Sequence, residues 1–229
     1  MPAGLAPAVA PDAGVPAGPH PEQVWGDALW VQALLTVDAH GLGGVHLRAG
    51  AGPVRDRWLA GLRSLLPAGD ALRRMPGHIA DDRLLGGLDL SATLALGKPV
   101  AQRGLLAESH GGVVLVPMAE RLSAANAGRL AAALDSAEVG FERDGISARW
   151  PARFGLLAFD EGGEDDHPLA ATLLDRLAFQ LDLRALSLRD CGPALPVWRA
   201  PSSRCHPTSR WSSTRPASSP RWPRTSSRR

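Results

Sequence analysis

Apolar residues first recur at helical spacing near residue 24. Val24, Ala28, Val31, Leu34 and Leu35 repeat every three or four positions, and Pro21 suits the first turn of such a helix. Gly41, Gly43 and Gly44 end that period. Residues 45–47 then read as a short strand, followed by the turn Ala49-Gly50-Ala51-Gly52 and a second helix with Trp58, Leu59, Leu62, Leu65 and Leu66 on one side. Residues 75–106 are less regular. Residues 113–116 form an unbroken apolar run, the kind a parallel sheet buries on both faces. A helix is expected over 122–134, a hairpin over 140–150 with Asp144-Gly145 at its turn, and another apolar strand over 154–159. A short helix over 169–177 and a strand over 179–183 complete the pattern.

Strands alternating with helices predict an α/β domain of three layers with a mostly parallel central sheet. Its expected span is residues 21–190. Its opening unit, strand then glycine-rich turn then helix, is shared by nucleotide-binding domains and by ordinary chain reversals, and spacing alone leaves both readings open. Residues 1–20 are mostly Pro, Ala and Gly and are expected to form a flexible arm, because they offer too little apolar surface to offset ordering.

Charge changes the picture at the C-terminal end. After Asp190 there are eight arginines and no acidic residue. Subtracting those eight from the formal net charge of +2 leaves −6 on the preceding residues. An acidic body is not the electrostatic footprint of a nucleic-acid binder, although the tail alone would attract polyanions without specificity. Residues 191–229, rich in Arg, Ser and Pro, are expected to be disordered or to be non-native sequence from a shifted reading frame. Both cysteines, Cys191 and Cys205, lie there without metal-ligand spacing. Their absence from the body suits a cytosolic protein. No basic segment followed by an apolar run marks a secretory leader, and no apolar run approaches the roughly 18–20 residues needed to span a bilayer.

Several ordered motifs resemble the AAA+ subunits of magnesium chelatase. They are Asp82-Arg83-Leu84-Leu85-Gly86-Gly87-Leu88-Asp89-Leu90, Gly104-Leu105-Leu106-Ala107 and His110-Gly111-Gly112 before a hydrophobic strand. Glu142-Arg143-Asp144-Gly145-Ile146-Ser147, Pro151-Ala152-Arg153-Phe154 and Leu173-Leu174-Asp175-Arg176 continue the likeness, which covers residues 22–190. It implies a AAA+ P-loop-type domain with hairpin insertions.

The departures from the active pattern are equally specific. A working P-loop needs GxxxxGK[ST], whose backbone N–H groups, lysine and hydroxyl hold the phosphates and Mg²⁺. Here Arg55 takes the lysine place and Asp56 the hydroxyl place, behind Gly50, Gly52, Pro53 and Val54. Gly50, Gly52 and Arg55 are the candidate nucleotide-contacting residues of this degenerate loop; the bland alternative for Arg55 is an exposed arginine at a helix start. The apolar strand that should end in Asp-Glu ends in Pro117-Met118, which can neither bind Mg²⁺ nor polarise water. The sensor asparagine is also missing; the acidic loop 160–167 stands in its place and reads as a solvated loop rather than a metal site.

Three lost elements in one chain resemble the D subunit, the inactive paralogue of the ATP-hydrolysing I subunit. The resemblance then implies a non-hydrolysing ring component with no metal and no confidently bound cofactor of its own. ATP and Mg²⁺ would act at the partner I subunit, and the porphyrin-binding H subunit would receive the cycle that drives Mg²⁺ into protoporphyrin IX. It also implies that Arg176 reaches the ATP of a neighbouring subunit, against a plain ion pair with Asp175 or the acidic loop. Asp82, Arg83 and the 142–149 hairpin would lie on insertions that serve subunit contacts. Two rival readings are a working ATPase with an unorthodox P-loop and a nucleic-acid-associated AAA+ module.

Overall fold

The computed structural model describes residues 19–67, 71–143, 146–163 and 167–193, with Arg143 and Ile146 described by backbone alone. The expected arm before residue 19, the turn Asp144-Gly145, the acidic residues 164–166 and the tail from 194 lie outside the described residues.

Helix α1 (Pro21–Asp38) leads into β1 (Gly44–Arg48) and α2 (Pro53–Leu65). The irregular stretch that follows resolves into short elements. They are β2 (Leu72–Arg74), α3 (Asp81–Leu84), β3 (Gly86–Leu88), α4 (Leu90–Leu96), β4 (Ala101–Arg103) and α5 (Leu105–Glu108). Then come β5 (Val113–Val116), a 3₁₀ turn (Ala119–Arg121), α6 (Ala124–Ser136), β6 (Glu138–Arg143) and β7 (Ile146–Pro151). The chain closes with β8 (Gly155–Asp160), α7 (Ala171–Leu174) and β9 (Phe179–Asp182).

Five strands form one parallel sheet in the order β2-β5-β8-β1-β9. Strand alternation sorts its side chains onto two faces. Val113, Leu115, Leu157, Phe159, Val45 and Leu47 pack with Trp25, Leu35, Trp58 and Leu62 of α1 and α2. Val114, Val116, Leu156 and Ala158 pack with Leu130, Leu134 and Leu173 of α6 and α7 and with Met75, Leu84 and Leu106. Two cores on two faces of one sheet are the three layers the sequence predicts.

The insertions form two small antiparallel units, β3-β4 and β6-β7. They abut at Gly86, whose φ of +125° suits glycine and whose missing side chain leaves room for the Trp150 ring, 2.7 Å from where a Cβ would stand.

Some expectations need correcting. The buried side of α1 is Trp25, Ala28, Leu29, Val31, Gln32 and Leu35. Leu34, expected on that side, is 41% exposed and sits outward with Trp30 and Val37. Helix α7 is a single turn rather than the expected nine residues; Leu169 and Leu177, which extend the apolar period, are buried in the α6-side core from the flanking loops. Strand β2 was not legible, because a short edge strand reading Leu-Arg-Arg carries no apolar alternation.

Helix α6 begins after Ser123, whose Oγ accepts from the Asn126 N–H at 3.2 Å, and ends at Ala137, a left-handed residue with φ of 57°. A Cβ in that conformation costs about 1 kcal/mol that glycine avoids. Ala137→Gly is therefore expected to stabilise the domain by about 0.5–1 kcal/mol, read as a higher urea midpoint. An unchanged or lower midpoint would count against this account of the cap.

Candidate functional site

The C-terminal ends of β1, β5 and β8 meet where a P-loop domain holds its nucleotide. The Ala49 N–H donates to the Asp160 carbonyl at 3.0 Å, tying the loop after β1 to the end of β8. Gly52 has φ of 164° and ψ of 179°, an extended backbone open to any residue. A Cβ at Gly50 or Gly52 would meet nothing within 4 Å. Neither glycine is therefore needed for a tight turn or for close backbone packing within the chain. Pro53 opens α2 and contributes no N–H.

Arg55 is not the exposed helix-start arginine of the bland reading. Its side chain is 18% exposed, and its Nη1 donates to Oε1 of Glu161 at 2.7 Å. Its guanidinium carbon lies 5.7 Å from the centre of the Phe159 ring, and its Nε is 3.5 Å from Oδ1 of Asp56. Glu161 is fixed in turn, because its backbone N–H donates to Oε2 of Glu120 at 3.2 Å. The Glu120 side chain is only 3% exposed and pairs with Arg121 at 3.6 Å. Three carboxylates thus crowd the place where a triphosphate would sit. Pro117 and Met118 follow β5, and Met118 adopts a left-handed conformation with φ of 47°. Neither offers an oxygen or nitrogen side-chain ligand. These residues do not fit a bound Mg²⁺–nucleotide.

Asp160, at the sensor end of β8, is turned inward. Its Oδ2 accepts from His46 Nε2 at 3.1 Å and lies 3.4 Å from Arg48 Nε, and its Oδ1 accepts from the Gly162 N–H at 3.0 Å. Both Asp160 and His46 are buried, beside a cavity of 540 Å³ that Gln180, Asp182 and Leu174 also line. Sequence reasoning missed this cluster, since the two partners are 114 residues apart. Among the described residues, no group of three or more His, Cys, Asp or Glu is placed to hold a metal ion, and no helix is long and apolar enough to cross a membrane.

Arg176 lies beyond α7, away from the Arg55 network. Its Nε donates to Oδ1 of Asp135 at 2.7 Å and its Nη2 to Oδ2 at 2.5 Å, a bidentate fork. Its Nη1 also donates to the Thr172 carbonyl. The side chain is 33% exposed and that of Asp135 56%. Hydrogen bonding to Arg176 holds the Asp135 carboxyl below the ordinary carboxylate range. The pair therefore persists at and above the usual carboxylate pKa and is lost as pH falls through the lowered value. Neither Asp175 nor a described residue of the acidic loop takes Arg176 as an ion-pair partner. The Arg176 carbonyl passes 1.9 Å from where a Cβ of Gly43 would stand, so glycine there sets the path of this segment beside β1.

A parallel sheet in this order, with a loop and helix after β1 and with hairpin insertions, defines a AAA+-type α/β domain. Comparison with models of protein families gives no match. The chain is 43% identical over 153 residues to the magnesium-chelatase 60 kDa subunit of Cereibacter sphaeroides, covering 67% of this chain and 24% of that protein. It is 33% identical over 125 residues to the magnesium-chelatase 38 kDa subunit of Rhodobacter capsulatus, covering 55% of this chain and 35% of that protein. Among solved structures it resembles the complex between subunits BchI and BchD of magnesium chelatase, with a TM-score of 0.53 and 24% identity over 74% of this chain and 63% of that chain. That structural likeness bears on the fold. The chain belongs to the family of the magnesium-chelatase 60 kDa (D-type) subunits, and it spans about a quarter of the length of the curated relative it matches.

Proposed function

We propose that this chain is the non-hydrolysing AAA+ module of a cytosolic bacterial magnesium chelatase. It assembles with the active I-type ATPase subunit in a ring, and the ring works with the porphyrin-binding H subunit to insert Mg²⁺ into protoporphyrin IX. The domain that does this spans residues 21–190. The observation that carries the reading is the phosphate position itself: Arg55 is engaged by Glu161, and Pro117-Met118 replace the residues that would bind Mg²⁺ and orient water. The higher identity to the 60 kDa than to the 38 kDa relative supports the same assignment. Gly50, Gly52 and Arg55 are then remnants of a loop, and ATP and Mg²⁺ act at the partner's site.

Arg176 is the residue this module would contribute to that site. A guanidinium supplied across a subunit boundary stabilises charge on the transferring phosphoryl group. The experiment is phosphate release by the active partner, alone and mixed with this chain, with this chain alone as the reference. The chain alone should release no phosphate, and mixing should change the partner's rate. Turnover by the chain alone, carried through purification with its own Pro117-Met118 intact, would replace this reading with that of a working ATPase.

A further inference from the structure

We propose that the former phosphate position is held by an internal anion: Glu161 occupies Arg55 in the place of a phosphate, so the pocket is closed to polyphosphate ligands by the chain's own carboxylate. The inference rests on the non-hydrolysing reading but concerns binding rather than turnover.

Geometry and charge carry it together. Arg55 stands at the lysine place of the loop, and its guanidinium is turned onto Phe159 and Glu161 at the end of β8. The 2.7 Å contact is a charge-assisted hydrogen bond of the kind a phosphate oxygen would make. Glu161 is no loose surface carboxylate: its backbone is anchored to Glu120, whose side chain is almost wholly buried. Around the Arg55 guanidinium stand Asp56, Glu161 and, one hydrogen bond further, Glu120, which is itself paired with Arg121. A polyphosphate arriving there must displace a bound carboxylate while facing two more. Electrostatics that attract phosphate in an active P-loop here repel it.

Nη1 of Arg55 therefore has its anionic partner without ligand, while the buried Nε makes no hydrogen bond. An active AAA+ site leaves a lysine and a row of N–H donors whose strongest partner is the nucleotide, so its local order depends on nucleotide. Here the guanidinium has its partner within the chain, and the joint between α2 and β8 is made in every state of the partner's cycle.

Pyrophosphate without Mg²⁺ is the probe, read as the rise in unfolding temperature of the full chain and converted to a dissociation constant. The eight arginines after Asp190 will bind any polyanion weakly, so the double variant Arg55→Met/Glu161→Gln serves as the background. Wild type should match that background. Glu161→Gln should bind pyrophosphate about tenfold or more tightly above it, the effect of one competing charge removed from a phosphate-binding arginine. Equal responses from Glu161→Gln and the double variant overturn the proposal, as does a wild-type response equal to that of Glu161→Gln.

A second reading guards against a variant that folds poorly. Without ligand, the losses in unfolding temperature for Arg55→Met and Glu161→Gln should sum to more than the loss in the double variant, since the two side chains are partners. Additive losses overturn the pairing on which the proposal stands. The two readings fail separately: phosphate release from ATP by wild type sinks the non-hydrolysing assignment, whereas these outcomes test only who occupies Arg55.

Discussion

Arg176→Ala is expected to abolish the change in ATP turnover proposed for mixing this module with an active AAA+ partner, without preventing assembly. An arginine offered in trans to a phosphoryl-transfer site is worth roughly 10³–10⁵ in turnover at that site. Even a small residual stimulation would therefore be visible as a departure from the expected loss. In the isolated chain the guanidinium rests on Asp135, but both side chains are partly exposed. Solvent screens such a pair strongly, so handing the fork to a phosphate costs little. Asp135 thus orients Arg176 without trapping it. Asp135→Asn should keep most of the stimulation, because the Thr172 carbonyl still holds one arm of the guanidinium. Arg176→Lys should not rescue, since an ammonium lacks the planar fork. The measurement is partner phosphate release across a titration of each variant, with co-elution as the assembly control. A fully stimulating Arg176→Ala would make Arg176 a structural residue and move the module's influence to other contacts.

How much of this was legible in the sequence depends on the range of the interaction. The apolar runs at 113–116 and 154–159 announce buried parallel strands because burial on both faces leaves no polar alternation. The hairpin is legible for the complementary reason, a turn dipeptide between its two strands. The replaced hydrolytic positions are read directly from identity, since Pro117 and Met118 lack a side-chain oxygen or nitrogen to hold Mg²⁺ wherever the chain places them. Partnership is different. Arg55 and Glu161 are 106 residues apart, and Arg176 and Asp135 are 41 apart. Local reasoning offered Asp175 as the partner of Arg176, but adjacent residues on a helical turn point in different directions, while Asp135 presents its carboxylate from the end of α6. The outward side of α1 was misjudged because apolar residues surround that helix; with Trp25, Trp30, Leu34 and Val37 all present, periodicity does not fix which side faces the sheet.

Trp58→Ala should lower the unfolding free energy by about 3–5 kcal/mol, the usual range for deleting a buried aromatic side chain. Trp58 has no exposed surface and sits where α2 crosses α1. Its Nε1 donates to the Ala28 carbonyl at 2.8 Å, and its own carbonyl accepts from the buried Gln32 Nε2 at 2.7 Å. The helices approach so closely that a Cβ at Gly61 would stand 2.8 Å from Oε1 of Gln32. This joint cannot collapse to fill the void without dislodging α1 from the sheet, which puts the expected loss at the upper end of the range. For a domain whose total stability is of order 5–15 kcal/mol, that is a large fraction, and the unfolding temperature should fall by about 10 °C or more. Trp58→Phe keeps most of the volume and loses the indole donor, so it should cost about 1–2 kcal/mol. Arg55 lies one turn before Trp58 on α2, so the Ala variant should also weaken the coupling between Arg55 and Glu161. Urea titration of the two variants checks the first claim, and a double-mutant cycle in the Trp58→Ala background checks the second. Equal losses for Ala and Phe would show that the hydrogen bond, not the packed ring, secures the joint.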